Sequence, residues 1–484
     1  MTDLSFRSAL DLAAAIRAKQ VGARELLELY IGRIERLDPR LNAVVVRDYE
    51  AARARADAAD AALAKGTLWG PLHGVPMTVK ESFDLTGHPT TWGLPEYRGH
   101  RAAEDALAVQ RLKAAGAVVF GKTNVPVLLA DWQSTNPIYG TTNNPWDVTR
   151  TPGGSSGGSA AALAAGLTGL EMGSDIGASI RNPAHYCGVY GHKPTWGICP
   201  PRGQALDGGL TDTDIAVIGP MARSAGDLRV ALAAMAGPDE IDAGAWALNL
   251  APARRMRLGD WRIAVMLDDR NAEVDRPVQD AIARLAEFVS ARGATVSLTA
   301  RPAVDSDAAQ ADYIRLLRSA TSARIPHEDF AEWQRLAAEL GPADESYRAR
   351  MARANTIHHK DWLAVQERRQ RMRRAWAAFF RDWDLLLCPA ASSAAFPHDH
   401  AGERWQRTIE VNGKAVPTTD QLFWAGFPGM VLLPGTVAPC GDSPEGLPIG
   451  VQIVGPHGGD LSCIEFAAQL EAEYRGFRPP PGFA

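Results

Sequence analysis

Two clusters of small residues built around serines stand out: Gly153-Gly154-Ser155-Ser156-Gly157 and Ile176-Gly177-Ala178-Ser179. Gly and Ala leave backbone N–H groups uncovered, so turns made of them admit a ligand close to the chain. Uncovered N–H groups can stabilise the negative charge that develops on a carbonyl oxygen under attack. The turn at 176–179 is the better candidate for such a hole. Arg181 and Pro183 follow it, and proline suits the first turn of a helix.

A serine hydroxyl is a poor nucleophile until a base takes its proton. Lysine serves as that base only when neutral. An ordinary lysine titrates near ~10.4, so neutralising it at pH 7 costs about 4.6 kcal/mol. Burial lowers that value by several units. Lys80 ends the apolar run VPMTV at 75–79, consistent with a strand carrying it inward. Lys122 and Lys193 are alternative bases, Ser156 and Ser159 alternatives to Ser155, and Ser174 an alternative to Ser179. Each of these serines also has a plain role open to it, hydrogen bonding in a loop or cap. Asp175 and Arg181 are expected to form an ion pair that holds the turn between them.

Two shorter matches fail on mechanism. GAVVFGKT at 116–123 fits the phosphate-binding pattern GxxxxGK[ST]. That loop needs its strand before the first glycine. Here the intervening AVVF is itself the expected strand, and Asn-Val-Pro at 124–126 is a poor helix start. GGSSG at 153–157 fits GxSxG, which needs an apolar strand just before it and a histidine partner. The preceding segment is polar and ends in Pro152, and His185, His192 and His359 read as packed or surface residues.

The elements that must position these residues follow from hydrophobic periodicity. Two amphipathic helices open the chain; in the second, Leu26, Leu27, Tyr30, Ile34 and Leu37 recur at helical spacing. An Ala-rich third helix spans about 48–65. Short apolar runs then alternate with helical segments, at 117–120, 169–172, 262–267, 294–298, 385–388, 430–433 and 450–454. The alternation predicts an α/β fold with a mostly parallel central mixed sheet covered by helices on both faces. One domain is expected over 1–484, with a helical excursion at about 308–380 that is dense in Arg, Glu and Trp.

Composition narrows the partners. The 484 residues are 46% hydrophobic and 22% charged, which excludes global disorder. A net charge of −5 gives no general attraction to nucleic acid or an anionic membrane, leaving a small molecule as the expected partner. Five widely spaced cysteines without a CxxC pair argue against a disulfide framework or a structural zinc. The N-terminal stretch lacks the apolar core of a signal peptide, and no long uncharged apolar run occurs, so a cytoplasmic location and no membrane span are expected. Oligomeric state stays open, a homodimer included.

The segment at 151–197, TPGGSSGGSAAALAAGLTGLEMGSDIGASIRNPAHYCGVYGHKPTWG, resembles the signature of the amidase signature family. The similarity begins at HGVPMTVKE (73–81), continues through GKTN (121–124) and NPW (144–146), and returns more weakly at 384–389 and in GLPIGVQIVG (446–455). The resemblance implies the amidase signature fold and a Ser–Ser–Lys triad. Ser179 would be the nucleophile, Ser155 the bridging serine after a cis Gly154–Ser155 bond, and Lys80 the base. The N–H groups of Ile176, Gly177 and Ala178, with that of Ser179, would form the oxyanion hole. Leu129, Ala130, Asp131 and Trp132 would line the acyl side of the substrate pocket. No metal or cofactor is implied.

Many members of that family carry Gly-Gly-Ser where this chain has Gly177-Ala178-Ser179. The hole should survive the alanine if residue 178 keeps φ below zero. Trp92, Phe423 and Trp424 could wall an apolar pocket or pack the core. The expected substrates are small, neutral, apolar or aromatic amides and anilides, with esters and carbamates (urethanes) open to the same chemistry. The alternative is the glutamine-hydrolysing component of a tRNA-dependent amidotransferase. Relatives of that kind usually have a Tyr-Gly-Leu-Val type stretch where this chain reads WGICPPRGQ at 196–204, which favours the free-standing hydrolase.

Overall fold

Helical spacing of apolar residues organises the start of the chain. In the computed structural model, which describes residues 4–483, helices span Ala9–Arg17, Ala23–Leu37 and Tyr49–Ala64. Ser8 caps the first by accepting the Asp11 amide at 3.0 Å. Leu26, Leu27, Tyr30 and Ile34 bury one face of the second.

A small three-stranded sheet comes next. Its middle strand, Val118–Thr123, pairs antiparallel with Val44–Arg47 and parallel with Pro76–Lys80. Gly121, Lys122 and Thr123 are therefore strand residues, and no phosphate loop forms there. All five residues of Pro76–Lys80 are buried.

The main sheet has eight strands in the order Thr295–Ser297, Arg262–Val265, Leu385–Pro389, Pro448–Val454, Gly435–Asp442, Tyr190–Lys193, Val217–Ala222 and Glu171–Asp175. Helices cover both faces. Val437 packs with Ala160, Ile180 and Ala184, whereas its neighbour Ala438 packs with Ala281, Ile282 and Phe466. Adjacent strand residues point to opposite faces, so the two helical layers lie on opposite sides.

The α/β class and the mixed sheet agree with the expectation; the balance of strand directions does not. Only the first three strands run parallel to one another, and the five remaining adjacent pairs are antiparallel. The apolar run at 430–433 is not a strand either. It ends the helix Leu422–Gly429, with Leu432 at φ 69° and the Leu433 amide donating to Pro428 O. A short apolar run is compatible with either element, and burial alone does not choose.

The stretch at 308–380 is helical, in Ser306–Ser322, His327–Leu340, Tyr347–Asn355 and His359–Asp382. Among the described residues no helix is long and apolar enough to cross a membrane, and the five cysteines are buried free thiols.

Candidate active site

Lys80 sits at the end of its strand, beside the edge of the main sheet. The Thr78 amide donates to Leu170 O at 3.3 Å and to Thr168 Oγ1 at 2.9 Å, which ties this strand to the approach of Glu171–Asp175. Lys80 is fully buried. Its Nζ lies 2.6 Å from Ser155 Oγ, 3.0 Å from Ser174 Oγ and 3.5 Å from Ser174 O. Burial pushes the Lys80 ammonium down to about 7, against the opposing pull of Asp175 and Glu171. A substantial neutral fraction at neutral pH follows.

The other buried lysines face elsewhere. Lys122 Nζ donates to Pro89 O and, at 3.0 Å, to Thr90 Oγ1. Lys193 Nζ donates to Leu433 O at 2.7 Å and Pro194 O at 3.2 Å. Neither contacts a serine of the two clusters. His185 and His192 are likewise structural: the first joins Ser393 O to the Gly450 amide, the second joins Thr436 Oγ1 to Asp460.

Ser155 follows the Gly154–Ser155 bond, which is cis. Glycine is required at 154 because a Cβ there would lie 2.2 Å from Asp131 O. That contact wedges the 131–133 backbone against the Ser155 loop. The Ser156 amide then donates to Ser179 O at 3.1 Å, joining the two serine clusters directly.

Asp175 organises the turn that carries Ser179. Its carboxylate accepts the amides of Ala178 (2.9 Å), Ile180 (3.2 Å) and Arg181 (3.4 Å) and pairs with the Arg181 guanidinium at 2.8 and 2.9 Å. Burial works to raise the Asp175 carboxyl, but Arg181 overrides it and holds the group at about 2. Trp132 Nε1 donates to Gly177 O at 2.8 Å, and the Tyr313 hydroxyl donates to Ile176 O at 3.2 Å.

This geometry corrects two expectations. Ala178 has φ 69°, not a negative value. Its N–H is spent on Asp175, so Ala178 supplies no free oxyanion donor. Among the described residues, the amides of Ile176, Gly177 and Ser179 have no acceptor.

Of the residues expected around the substrate, Trp132 reaches the serine turn. The Asp131 carboxylate is turned to Arg407 Nη1 at 2.6 Å, Ala130 O accepts from Arg404, and Leu129 is partly buried with φ 56°. Trp92 is partly buried beneath the Arg324 guanidinium, 4.6 Å from its ring centre. Phe423 and Trp424 take the core role instead, fully packed within the main cluster.

Three residues escaped sequence reasoning. Ser174, read as a rival nucleophile, is a Lys80 partner. Gln204 Nε2 donates to Ser174 Oγ at 3.2 Å and Ser82 Oγ at 3.3 Å. Tyr313 arrives from the helical excursion. No local motif marks the last two. Among the described residues, no group of three or more His, Cys, Asp and Glu side chains is arranged to hold a metal ion.

Comparison with known proteins places this arrangement. The family model Amidase matches residues 25–464. Indoleacetamide hydrolase of Bradyrhizobium diazoefficiens is 34% identical over 96% of this chain and 86% of that protein. The amidotransferase component of Anaeromyxobacter that acts on glutamyl-tRNA(Gln) is 32% identical over 97% of both chains. A solved bacterial aryl acylamidase of the amidase signature family superposes with a TM-score of 0.82 at 25% identity, covering 99% of both chains.

Proposed function

The chain belongs to the amidase family, hydrolases of amide carbon–nitrogen bonds, and on that premise we propose a free-standing hydrolase of small, neutral, apolar or aromatic amides and anilides working through Ser179, Ser155 and Lys80. Carbamates and aryl esters fall within the same chemistry, since they offer a similar carbonyl with an amine or alkoxide leaving group. The observation that carries the reading is the 2.6 Å contact between buried Lys80 Nζ and Ser155 Oγ, on a loop bonded to the Ser179 carbonyl.

Neutral Lys80 accepts a proton through Ser155 as Ser179 Oγ attacks the carbonyl carbon. The amides of Ile176, Gly177 and Ser179 receive the developing oxyanion. The proton returns by the same route to the leaving nitrogen, the carbon–nitrogen bond breaks, and water hydrolyses the acyl-enzyme. Leu129, Ala130 and Trp132 line the acyl side, with Asp131 held to Arg407. The aromatic groups in the names of indoleacetamide hydrolase and aryl acylamidase lend weight to an aromatic preference.

A panel of chromogenic anilides, aryl esters and carbamates, run beside glutamine, tests the assignment. Turnover of anilides by the purified chain, none of glutamine, and fluorophosphonate labelling mapped to Ser179 support it. Glutaminase activity that requires a second protein overturns it in favour of the amidotransferase reading, to which 32% identity gives standing.

A further inference from the structure

We propose that Tyr313 is a positioning residue for oxyanion stabilisation, its hydroxyl fixing the Ile176–Gly177 peptide and thereby aiming the Gly177 N–H. The inference rests on Ser179 being the nucleophile and goes beyond it by assigning a role to the helical excursion.

Tyr313 lies on the helix Ser306–Ser322 and is fully buried. Its hydroxyl donates to Ile176 O at 3.2 Å. In a trans peptide the carbonyl and the following N–H point in opposite directions within one plane. Fixing the Ile176 carbonyl therefore fixes the direction of the Gly177 N–H. That N–H has no acceptor among the described residues, as an oxyanion donor requires.

The neighbouring peptide provides the contrast. Gly177 O accepts from Trp132 Nε1 and the Ala178 N–H donates to Asp175, so that unit is held at both ends and offers nothing to a ligand. The Ile176–Gly177 unit is held at its carbonyl by Tyr313 and keeps its N–H free. Donation to the carbonyl also polarises the peptide, which strengthens the opposite N–H as a donor.

Two glycines make room for this approach. A Cβ on Gly177 would lie 3.2 Å from Tyr313 Oη, and one on Gly426 would lie 2.1 Å from the Tyr313 ring. Because Gly426 belongs to the helix Leu422–Gly429, the tyrosine is seated between the catalytic turn and a packed helix. Burial pushes its phenol pKa upward, so the group remains a protonated donor through the neutral range.

Tyr313→Phe removes the hydroxyl and keeps the ring. The measurements are kcat and KM on a 4-nitroanilide, the rate of fluorophosphonate labelling at Ser179, the thermal midpoint and the pH profile, with rates normalised to titrated active sites. We expect kcat and labelling to fall together by about 10- to 100-fold, less than the full loss of an oxyanion donor. KM, the midpoint and the position of the pH limb should stay unchanged. Undiminished kcat per labelled site overturns the proposal, as does a loss confined to KM or to thermal stability. A vanished pH limb also overturns it, since that would make Tyr313 a proton donor. Labelling of the parent enzyme at a residue other than Ser179 removes the nucleophile assignment itself, a failure distinct from the others.

Discussion

The amide of Ala178 donates to the Asp175 carboxylate at 2.9 Å while Ala178 itself stands at φ 69°. The two features belong together. The left-handed residue turns the chain back so that amides at 178, 180 and 181 converge on one carboxylate.

Alanine tolerates that backbone region at a cost of roughly 1 kcal/mol, whereas a β-branched residue there is a genuine outlier. Ala178→Val should therefore distort the turn and lower kcat/KM by about 100-fold or more, comparable to losing an oxyanion donor. Ala178→Gly should keep activity. It relieves the backbone penalty but removes a methyl packed with Trp132 and Tyr186, so its denaturation midpoint should stay close to the parent's. A Val variant as active as the parent would show that φ at this residue does not matter.

Asp175→Asn keeps the shape of the carboxylate and loses its charge. Arg181 is only 1% exposed and would be left without its counter-ion. Breaking a buried pair from one side costs about 3–5 kcal/mol. Denaturant unfolding should register a loss of that order, with turnover falling alongside. The sign with pH is fixed by the lowered carboxyl: its contribution is present above the ordinary value of 3.8 and disappears only as pH falls through about 2. An Asn variant of unchanged stability would mean that Arg181 is satisfied by Gln452 and Ala425 O alone.

Much of this was legible in local patterns. The run ending in Lys80 read as a buried strand because apolar residues flank the lysine, and the Asp175–Arg181 pair was expected from its spacing. Strand direction was not legible, because long connections between short apolar runs leave both orientations open. Ser174 was misread because its meaning depends on Lys80 arriving from a different sheet. Gln204 and Tyr313 carry no local signal at all. Their relevance comes from loops and helices brought to the turn by packing over long sequence distances. The φ of Ala178 depended on a hydrogen bond that the sequence does not display.

Burial leads the causes that lower Lys80, and it sets a pH dependence. With Lys80 near 7 the neutral base accumulates above that value, so kcat/KM should rise through about pH 7 and then level. Stability carries the same signature. The unfolded chain holds this proton up to about 10.5 and the folded chain only to about 7, so stability should rise with pH across that window. The slope approaches about 1.4 kcal/mol per pH unit for one full proton. Lys193 titrates in the same window, so the comparison is with Lys80→Met. That variant should lose turnover by ~10³-fold or more, flatten the slope and be no less stable at neutral pH. Unaltered pH dependence of both quantities would assign the titration to another group.

The two serines should separate by experiment. If Ser155 relays the proton, Ser155→Ala removes the group 2.6 Å from Lys80 Nζ but leaves the nucleophile and its turn in place. Turnover should drop by about 10²- to 10⁴-fold, the worth of positioned proton transfer, while fluorophosphonate still modifies Ser179 slowly. Ser179→Ala should abolish both turnover and labelling, since no acyl-enzyme can form. The double variant should be no worse than Ser179→Ala alone, because residues acting as one unit do not contribute additively. A reversed order, with Ser155→Ala unlabelled and Ser179→Ala still turning over, would exchange the roles of the two serines.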